Sequence, residues 1–211
     1  MYILAFETTG KNASVACIDD KGSIVCESGD GVYNHLQSLM PMTQTLMTKN
    51  GIALKDIRCV AASVGPGSFT GIRIGVSTAR AFAQAAGVPC ISVPTLQTFV
   101  YNIPDYRGVC CPVFDARRGQ IYGGAYSLGA EGEIQEVVTG GAYIRDDFLE
   151  ILNRKTSDIK YFGDGAQSAS SVAKLALELY KKGKQIDYQE LIPQYMRKPE
   201  AERKLEAEKN G

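Results

Sequence analysis

The sequence predicts an α/β protein whose two lobes repeat one order of strands and helices. Short apolar runs bounded by polar or glycine-containing turns alternate with longer runs of helical period. A similar order begins again near residue 109, which indicates a duplicated lobe. Residues 1–105 carry 7 acidic and 7 basic residues, against 16 and 16 in residues 106–211. We therefore predict an N-terminal lobe over 1–105 and a reduced C-terminal lobe over 106–211, joined by the Pro- and Gly-containing loop 102–108.

The first half predicts the order β-β-β-α-β-α-β-α. Three opening strands are separated by polar turns, and their poor alternation of apolar and polar residues is typical of strands that are covered on both faces. Proline lacks the N–H that a helix interior needs, so Pro41 requires the first helix either to start near Ser38 or to bend. The predicted elements are strands at 2–7, 13–18 and 23–28, a helix at 36–49, a strand at 58–64, a helix at 70–86, a strand at 88–93 and a short helix after Pro94.

The second half predicts the same opening and a thinner ending. Its first strand ends at Asp115, just as the first strand of the chain ends at Glu7. The charged stretch 197–209 is expected to be solvated, or helical only when it is docked. The predicted elements are strands at 109–114, 120–127 and 133–138, a helix at 146–153, a strand at 160–162 and a helix at 166–181.

Composition excludes several classes of protein. The chain has 23 basic and 23 acidic residues, and it lacks the basic surplus of a protein that grips nucleic acid alone. Any contact with RNA is therefore expected to be shared with another protein. Six cysteines form no C-x-x-C pair, which favours free buried thiols over a zinc site. No signal-peptide pattern and no run of about 20 apolar residues is found, so we expect a soluble cytoplasmic protein.

The segment from Gly65 to Gly75 is the most informative. Its glycine turn leads into a helix that Thr70 is expected to cap, and free N–H groups there are suited to an anion. The spacing matches neither common phosphate-binding motif. Within the helix, small residues recur every fourth position and form a ridge that another helix can approach closely. This small-residue ridge consists of Gly71, Gly75, Ala79, Ala83 and Gly87.

The ridge has two possible roles, which spacing alone does not separate: packing inside one fold, or a seam with another chain. The first helix carries more apolar residues than one face can hide, which favours the seam. Those apolar residues are Leu36, Leu39, Met40, Met42, Leu46 and Met47.

No complete catalytic set is visible. His35 is the single histidine, and its position at the start of the first helix favours a capping or interface role. Ser68 lies outside a G-x-S-x-G elbow. Glu7 and Asp115 could face each other across a cleft between the lobes and hold a metal-bound nucleotide, or they could be turn residues. Thr8 and Thr9 would then be phosphate-facing hydroxyls or simply turn formers.

The 65–75 string resembles the signature of the bacterial TsaB (YeaZ) proteins. Further similarity lies in residues 3–7, in His35 with Leu39 and Pro41, and in the segments 115–118 and 193–197. The resemblance covers the first 125 residues well and the second lobe loosely.

This resemblance implies the duplicated actin/hexokinase/Hsp70-like (ASKHA) fold and a scaffold without catalytic activity. Members of the family pair with their paralogue TsaD, and with the ATPase TsaE, to place threonylcarbamoyl on the N6 atom of the tRNA adenosine beside the anticodon. Without TsaD, the chain is expected to self-pair. Thr95 and Phe99 stand where the metal-binding histidines of TsaD are expected, so no metal and no cofactor is predicted.

The resemblance also sorts the candidate residues into two groups. The first is a degenerate nucleotide pocket, for which no cofactor is expected and ATP or ADP is the alternative. Glu7 stands there in place of the usual Asp, which weakens the case for a nucleotide held through a metal. The pocket comprises Glu7, Thr8, Thr9, Gly65, Pro66, Gly67, Ser68 and Asp115. The second is an interface with TsaD that comprises His35, Leu39, Met42, Leu46, Gly71, Arg73, Gly75, Ala79 and Ala83.

Two other functions stay open on the residues. An autonomous ASKHA-type ATPase or sugar kinase would need Glu7, Thr8, Thr9 and the glycine turn to bind nucleotide tightly. A metallopeptidase of the glycoprotease type would need a metal pair, for which a single histidine is a poor basis.

Overall fold

A computed structural model describes residues 1–29, 35–103, 105–130 and 132–196. The predicted charged stretch 197–209 lies outside these residues. The elements follow the predicted order closely. They are β1 (Tyr2–Glu7), β2 (Ser14–Asp19), β3 (Ile24–Ser28), α1 (His35–Lys49), β4 (Ile57–Gly65), α2 (Phe69–Ala86), β5 (Cys90–Pro94), β6 (Val109–Arg117), β7 (Gln120–Leu128), β8 (Ile134–Ile144), α3 (Arg145–Asn153), β9 (Ile159–Phe162) and α4 (Ala169–Lys181), with 3-10 helices at Leu54–Asp56, Thr95–Tyr101 and Tyr188–Glu190.

The strands form two sheets of the same plan. The first has the order β3-β2-β1-β4-β5, and the second has the order β8-β7-β6-β9. β1 pairs antiparallel with β2 and parallel with β4, while β6 pairs antiparallel with β7 and parallel with β9. β1 and β6 thus occupy equivalent places. This arrangement is the two-lobed α/β duplication that the sequence predicts, with the second sheet one strand shorter.

The first sheet is covered on both faces, which explains its nearly continuous apolar strands. Leu4, Phe6 and Val60 face a cluster built with α1 and α2. Ile3 and Ala5 face a second cluster built with α4. α4 also joins this sheet through its first N–H group, because the Ala169 N–H donates to Ser14 Oγ at 2.9 Å.

The chain therefore returns to its first lobe after building the second sheet. The predicted division at 105/106 separates the two sheets, but α4 lies on the first one. Ile186 forms a bridge to Cys90, and the Gln194 N–H donates to the Val64 carbonyl at 2.8 Å. The last described residues complete the N-terminal lobe.

Several boundaries differ from the prediction, among them the end of β6 and the start of α4, and three further differences are as follows. α1 begins at His35 and keeps Pro41 inside it, so the helix does not wait for Ser38. β8 runs on to Ile144, because it stays paired with β7 along its whole length. The helix after Pro94 is a 3-10 helix.

The cysteines behave as buried thiols, with one exception. All six are free, and only Cys26 on the edge strand β3 is exposed. Cys110 and Cys111 belong to different apolar clusters on opposite faces of β6, as predicted for adjacent strand residues. Burial raises the pKa of the Cys17, Cys59 and Cys111 thiols to about 12. Within the described residues, no helix has the length and apolar character needed to cross a bilayer.

Four of the five residues of the small-residue ridge form an internal seam, while Gly87, the C-cap of α2, is exposed. Gly71, Gly75, Ala79 and Ala83 are all buried in their own chain. The Thr8 hydroxyl donates to the Gly71 carbonyl at 2.7 Å, and a Cβ atom on Gly75 would overlap Thr8 Oγ1. The absent side chains therefore let α2 approach the end of β1.

The prediction that the ridge faces a partner is wrong. Leu39 and Leu46 of α1 were expected in the same interface, and that prediction is also wrong. Each is 1% exposed and belongs to the cluster beneath α1 and α2. An apolar residue at helical spacing faces whichever surface is covered, and here that surface is the chain's own first sheet.

Gly75→Ala is expected to destabilise the isolated chain by about 1–3 kcal/mol, because the new methyl group must displace the hydrogen-bonded Thr8 side chain. Alanine would otherwise favour a helix by about 1 kcal/mol relative to glycine. Urea unfolding of the purified chain measures the effect.

Gly163→Ala is the matched control, because a Cβ atom there meets open space. Equal stability of the two variants would contradict the internal seam and restore the partner interface.

Candidate functional site

A cleft of about 820 Å³ lies between the two lobes. It is lined by the turn after β1, the turn after β6, the glycine turn and the start of α1, with Thr9, Lys11, Ser68, Asp115 and Arg117 among its residues. The two turns correspond to each other in the duplicated plan, so the cleft is where the repeated halves meet.

Glu7 does not open into this cleft. It is completely buried, and its carboxylate accepts hydrogen bonds from the Thr9 N–H, from the Thr9 hydroxyl at 2.6 Å and from the Ser63 hydroxyl. Burial raises the pKa of Glu7, while these hydrogen bonds act in the opposite direction. Because Ser63 lies on β4, the carboxylate fastens the end of β1 to the neighbouring strand.

Asp115 lies in a different environment. It is exposed, lines the cleft, and accepts a hydrogen bond from the Arg117 N–H at 2.7 Å. One carboxylate is buried in the first lobe and the other lies in solvent. The interpretation that Glu7 and Asp115 face each other across the cleft is therefore wrong.

The predicted nucleotide pocket is divided by the structure. Thr9, Gly67, Ser68 and Asp115 line the cleft. Thr8 is buried beneath α2.

Gly65 and Pro66 line a separate cavity of about 340 Å³, together with Leu96, Tyr126 and the segment 194–196. The eight predicted residues thus do not form one pocket.

The glycine turn is held by contacts within the chain, most of them to the backbone. The Ser68 N–H donates to the Thr9 carbonyl at 2.7 Å, and a Cβ atom on Gly67, whose φ is +156°, would overlap Thr9. The Ser68 hydroxyl accepts from the Gly71 N–H at 3.1 Å. Ser68 is therefore the N-cap of α2, and the prediction of Thr70 for that role is wrong.

His35 joins α1 to the turn after β1. Its Nε2 atom lies 2.9 Å from the Gly10 carbonyl oxygen, so Nε2 carries the hydrogen and donates it. The ring also lines the cleft. This contact agrees with the structural role that was favoured over catalysis.

Thr95 and Phe99, which the resemblance predicts in place of metal-binding histidines, make contacts within the fold. Thr95 Oγ1 accepts a hydrogen bond from the Gly65 N–H at 3.2 Å. Phe99 packs against Phe114 and Phe162, with ring centroids 5.5 Å apart in both pairs. Among the residues that the structure describes, no cluster of three or more His, Cys, Asp or Glu side chains is arranged to hold a metal ion.

The outward face of α2 forms an apolar groove with α1. The α1–α2 groove, of about 450 Å³, is lined by Met40, Leu54, Ser77, Thr78, Ala81, Phe82 and Ala85. Met40 is 52% exposed, and Leu36, one turn earlier on α1, is 71% exposed. The apolar surplus of α1 is therefore real, but it meets a face of α2 that lies beside the small-residue ridge.

Sequence reasoning missed two features near these sites. Lys11 and Arg117 line the cleft, and the charged hairpin turn Arg117-Arg118-Gly119 was the available signal. Tyr195 stacks on Phe69 with centroids 4.4 Å apart, and its hydroxyl accepts from Arg73 Nε at 2.8 Å. No local pattern indicates that the chain end returns to α2.

Arg73 is exposed, and His35 and Met42 are half-buried, so their predicted contact with a partner stays a prediction.

The sequence is similar to those of known proteins over nearly its whole length. Residues 29–145 match the family model described as TsaD, tRNA N6-adenosine threonylcarbamoyltransferase. The tRNA threonylcarbamoyladenosine biosynthesis protein TsaB of Bacillus subtilis is 30% identical over 99% of this chain and 100% of its own length. The Escherichia coli protein of that name is 28% identical over 97% and 98%.

The fold comparison agrees with the sequence comparison. YeaZ from Pseudomonas aeruginosa superposes with a TM-score of 0.78 at 22% identity, covering 92% of this chain and 99% of that one. The predicted two-lobed α/β fold is thereby confirmed, and YeaZ shares it. With full-length similarity to two TsaB proteins, a matching family model and a common fold, the chain belongs to the TsaB (YeaZ) family of tRNA threonylcarbamoyladenosine biosynthesis proteins.

Proposed function

We propose that this chain is a non-catalytic cytoplasmic subunit that pairs with TsaD through the α1–α2 groove, in the threonylcarbamoylation of tRNA. The observation that carries the proposal is the exposure of large apolar side chains in and beside this groove, above all Leu36 and Met40. A soluble chain gains free energy when such a surface is covered, at about 25 cal/mol per Å² of apolar area.

The identity of the occupant follows from the duplicated ancestry of the two proteins. The TsaD family model matches residues 29–145, a range that contains both α1 and α2. A TsaD chain is therefore expected to carry corresponding helices, and two related helix pairs can meet around a quasi-two-fold axis. A second copy of this chain is the competing occupant. TsaE and tRNA are expected to meet the assembled pair rather than this chain alone.

The absence of catalysis is supported by what the key side chains do instead. Glu7 is occupied by Thr9 and Ser63, Thr95 accepts a hydrogen bond from the glycine turn, and Phe99 belongs to an apolar cluster. These residues hold the fold at positions where a catalytic relative is expected to hold metal and substrate. We propose that neither a metal nor ATP or ADP is needed by this chain, and calorimetric titration with Mg-ATP tests the alternative.

Met40→Arg is expected to weaken association with TsaD at least about tenfold, because a charged side chain would have to be desolvated in an apolar contact. Ile151→Arg on α3 is the matched control, since Ile151 is also a helical apolar residue, 37% exposed, and lies outside the groove. Analytical ultracentrifugation of each variant with and without TsaD measures heterodimer and self-dimer separately.

Equal weakening by both variants, or by neither, would place the interface elsewhere. Loss of the self-dimer alone would identify a second copy as the occupant.

Glu7→Gln tests the structural role of the buried carboxylate. Folding raises the pKa of Glu7, so the native state holds the proton more tightly than the unfolded chain does, where the ordinary value is 4.5. Stability of the unsubstituted protein therefore falls as the pH rises from about 4.5 toward the folded pKa. Because glutamine does not titrate, we expect the stability of the variant relative to the unsubstituted protein to improve over this pH range.

Urea unfolding between pH 4.5 and 8 measures the trend. The rate of tRNA modification by the TsaD complex should change less than about twofold. A pH-independent stability difference together with loss of modification would instead indicate a catalytic Glu7.

A further inference from the structure

Two cationic side chains line the cleft between the lobes. Lys11 follows β1, and Arg117 ends β6, so each extends from one of the two equivalent turns. Both residues are exposed. Among residues 1–29, 35–103, 105–130 and 132–196, no ion pair or side-chain hydrogen bond engages the Lys11 ammonium or the Arg117 guanidinium.

The turn that carries Arg117 has an uncommon backbone. Arg117 and Arg118 have φ values of +63° and +56°, in the left-handed region where residues with a side chain are rare. The Asp115 carboxylate holds the turn through the Arg117 N–H at 2.7 Å. Strain of this kind persists where it is offset elsewhere, and it is concentrated at binding and switch sites.

Two carboxylates line the same cleft. Asp115 accepts the Arg117 N–H, and Asp164 Oδ1 accepts a hydrogen bond from Gln167 Nε2 at 3.3 Å. The other titratable groups of the lining are Tyr122 and His35, and His35 donates to the Gly10 carbonyl. Both carboxylates keep their charge in these hydrogen bonds, so Lys11 and Arg117 balance two negative charges and are the lining groups that attract an anion.

We propose that Lys11 and Arg117 each bind a backbone phosphodiester of tRNA at the mouth of this cleft. This inference rests on the proposed function for the presence of tRNA in the assembly. An RNA strand suits the shape better than a free nucleotide does, because a small-molecule site encloses most of its ligand. This cleft is open to solvent, so a longer chain can cross it. Its exposed lining residues include Lys11, Ser68, Thr70 and Arg117.

The neutral net charge of the chain fits this limited role. Two phosphate contacts supply only part of the electrostatic free energy that specific binding needs, and the paired subunit has to supply the rest.

The test is the salt dependence of tRNA binding to the complex with TsaD, followed by fluorescence anisotropy. Lys11→Gln and Arg117→Gln are each expected to lower the slope of log K against log salt by about 0.7–0.9, the contribution of one phosphate contact. Arg154→Gln and Lys181→Gln are the controls, because each removes an exposed cation from an ion pair on a helix outside the cleft. Both controls should retain the original slope.

Arg117→Gly separates binding from structure. Glycine adopts a positive φ without strain, so this variant should have a Tm about 2–4 °C higher. The slope of log K against log salt should fall as it does for Arg117→Gln. If Arg117 has only a structural role, the Arg117→Gly variant will be less stable and the salt dependence of tRNA binding will not change.

Three results would overturn the proposal: unchanged slopes in all cleft variants, equal loss in the controls, or ATP binding that depends on Lys11 and Arg117 while tRNA binding does not. If this chain fails to pair with TsaD, the same slopes are measured for the chain alone at low salt. Failure of the pairing and failure of the phosphate site are then distinguished.

Discussion

Thr8 lies directly beneath the first two turns of α2, and this contact determines how the N-terminal lobe is built. Its hydroxyl donates to the Gly71 carbonyl at 2.7 Å, and neither Gly71 nor Gly75 has room for a side chain above it. The helix is therefore fixed with its small residues toward the sheet. The residues of α2 that lie beside this ridge are then placed next to α1, where they line the α1–α2 groove. One close approach thus sets both the core and the exposed surface on which the proposed pairing depends.

The duplicated lobes have diverged at their corresponding carboxylates. Glu7 is buried and holds β1 against β4 through Ser63, while Asp115 remains in solvent and stabilises a hairpin turn. The same location in the plan thus serves the packing of one lobe and the surface of the other. The cleft between the lobes is thus lined by the exposed carboxylate of one lobe, while the buried carboxylate of the other lobe stabilises the fold. Similarity to a family model is therefore not by itself evidence for the function of each residue.

The end of the chain has a larger part in the first lobe than its position in the sequence indicates. α4 covers the second face of the first sheet, and Gln194 and Tyr195 contact β4 and α2. The glycine turn is consequently enclosed by segments that are more than a hundred residues apart. The cleft borders this region, because Gly67 and Ser68 of the glycine turn are part of its lining.

The sequence alone determined the order of elements, the duplication, the buried thiols and the family resemblance, because each is encoded in local periodicity or in a contiguous motif. Only the tertiary structure decided which side of α2 faces outward, since a ridge of small residues at i, i+4 spacing fits a neighbouring strand as well as a partner helix. The same holds for Glu7 and Asp115, whose equivalent places in the sequence do not reveal that one is buried and the other exposed. Burial is decided by what the rest of the chain packs against a residue, and that information is not local.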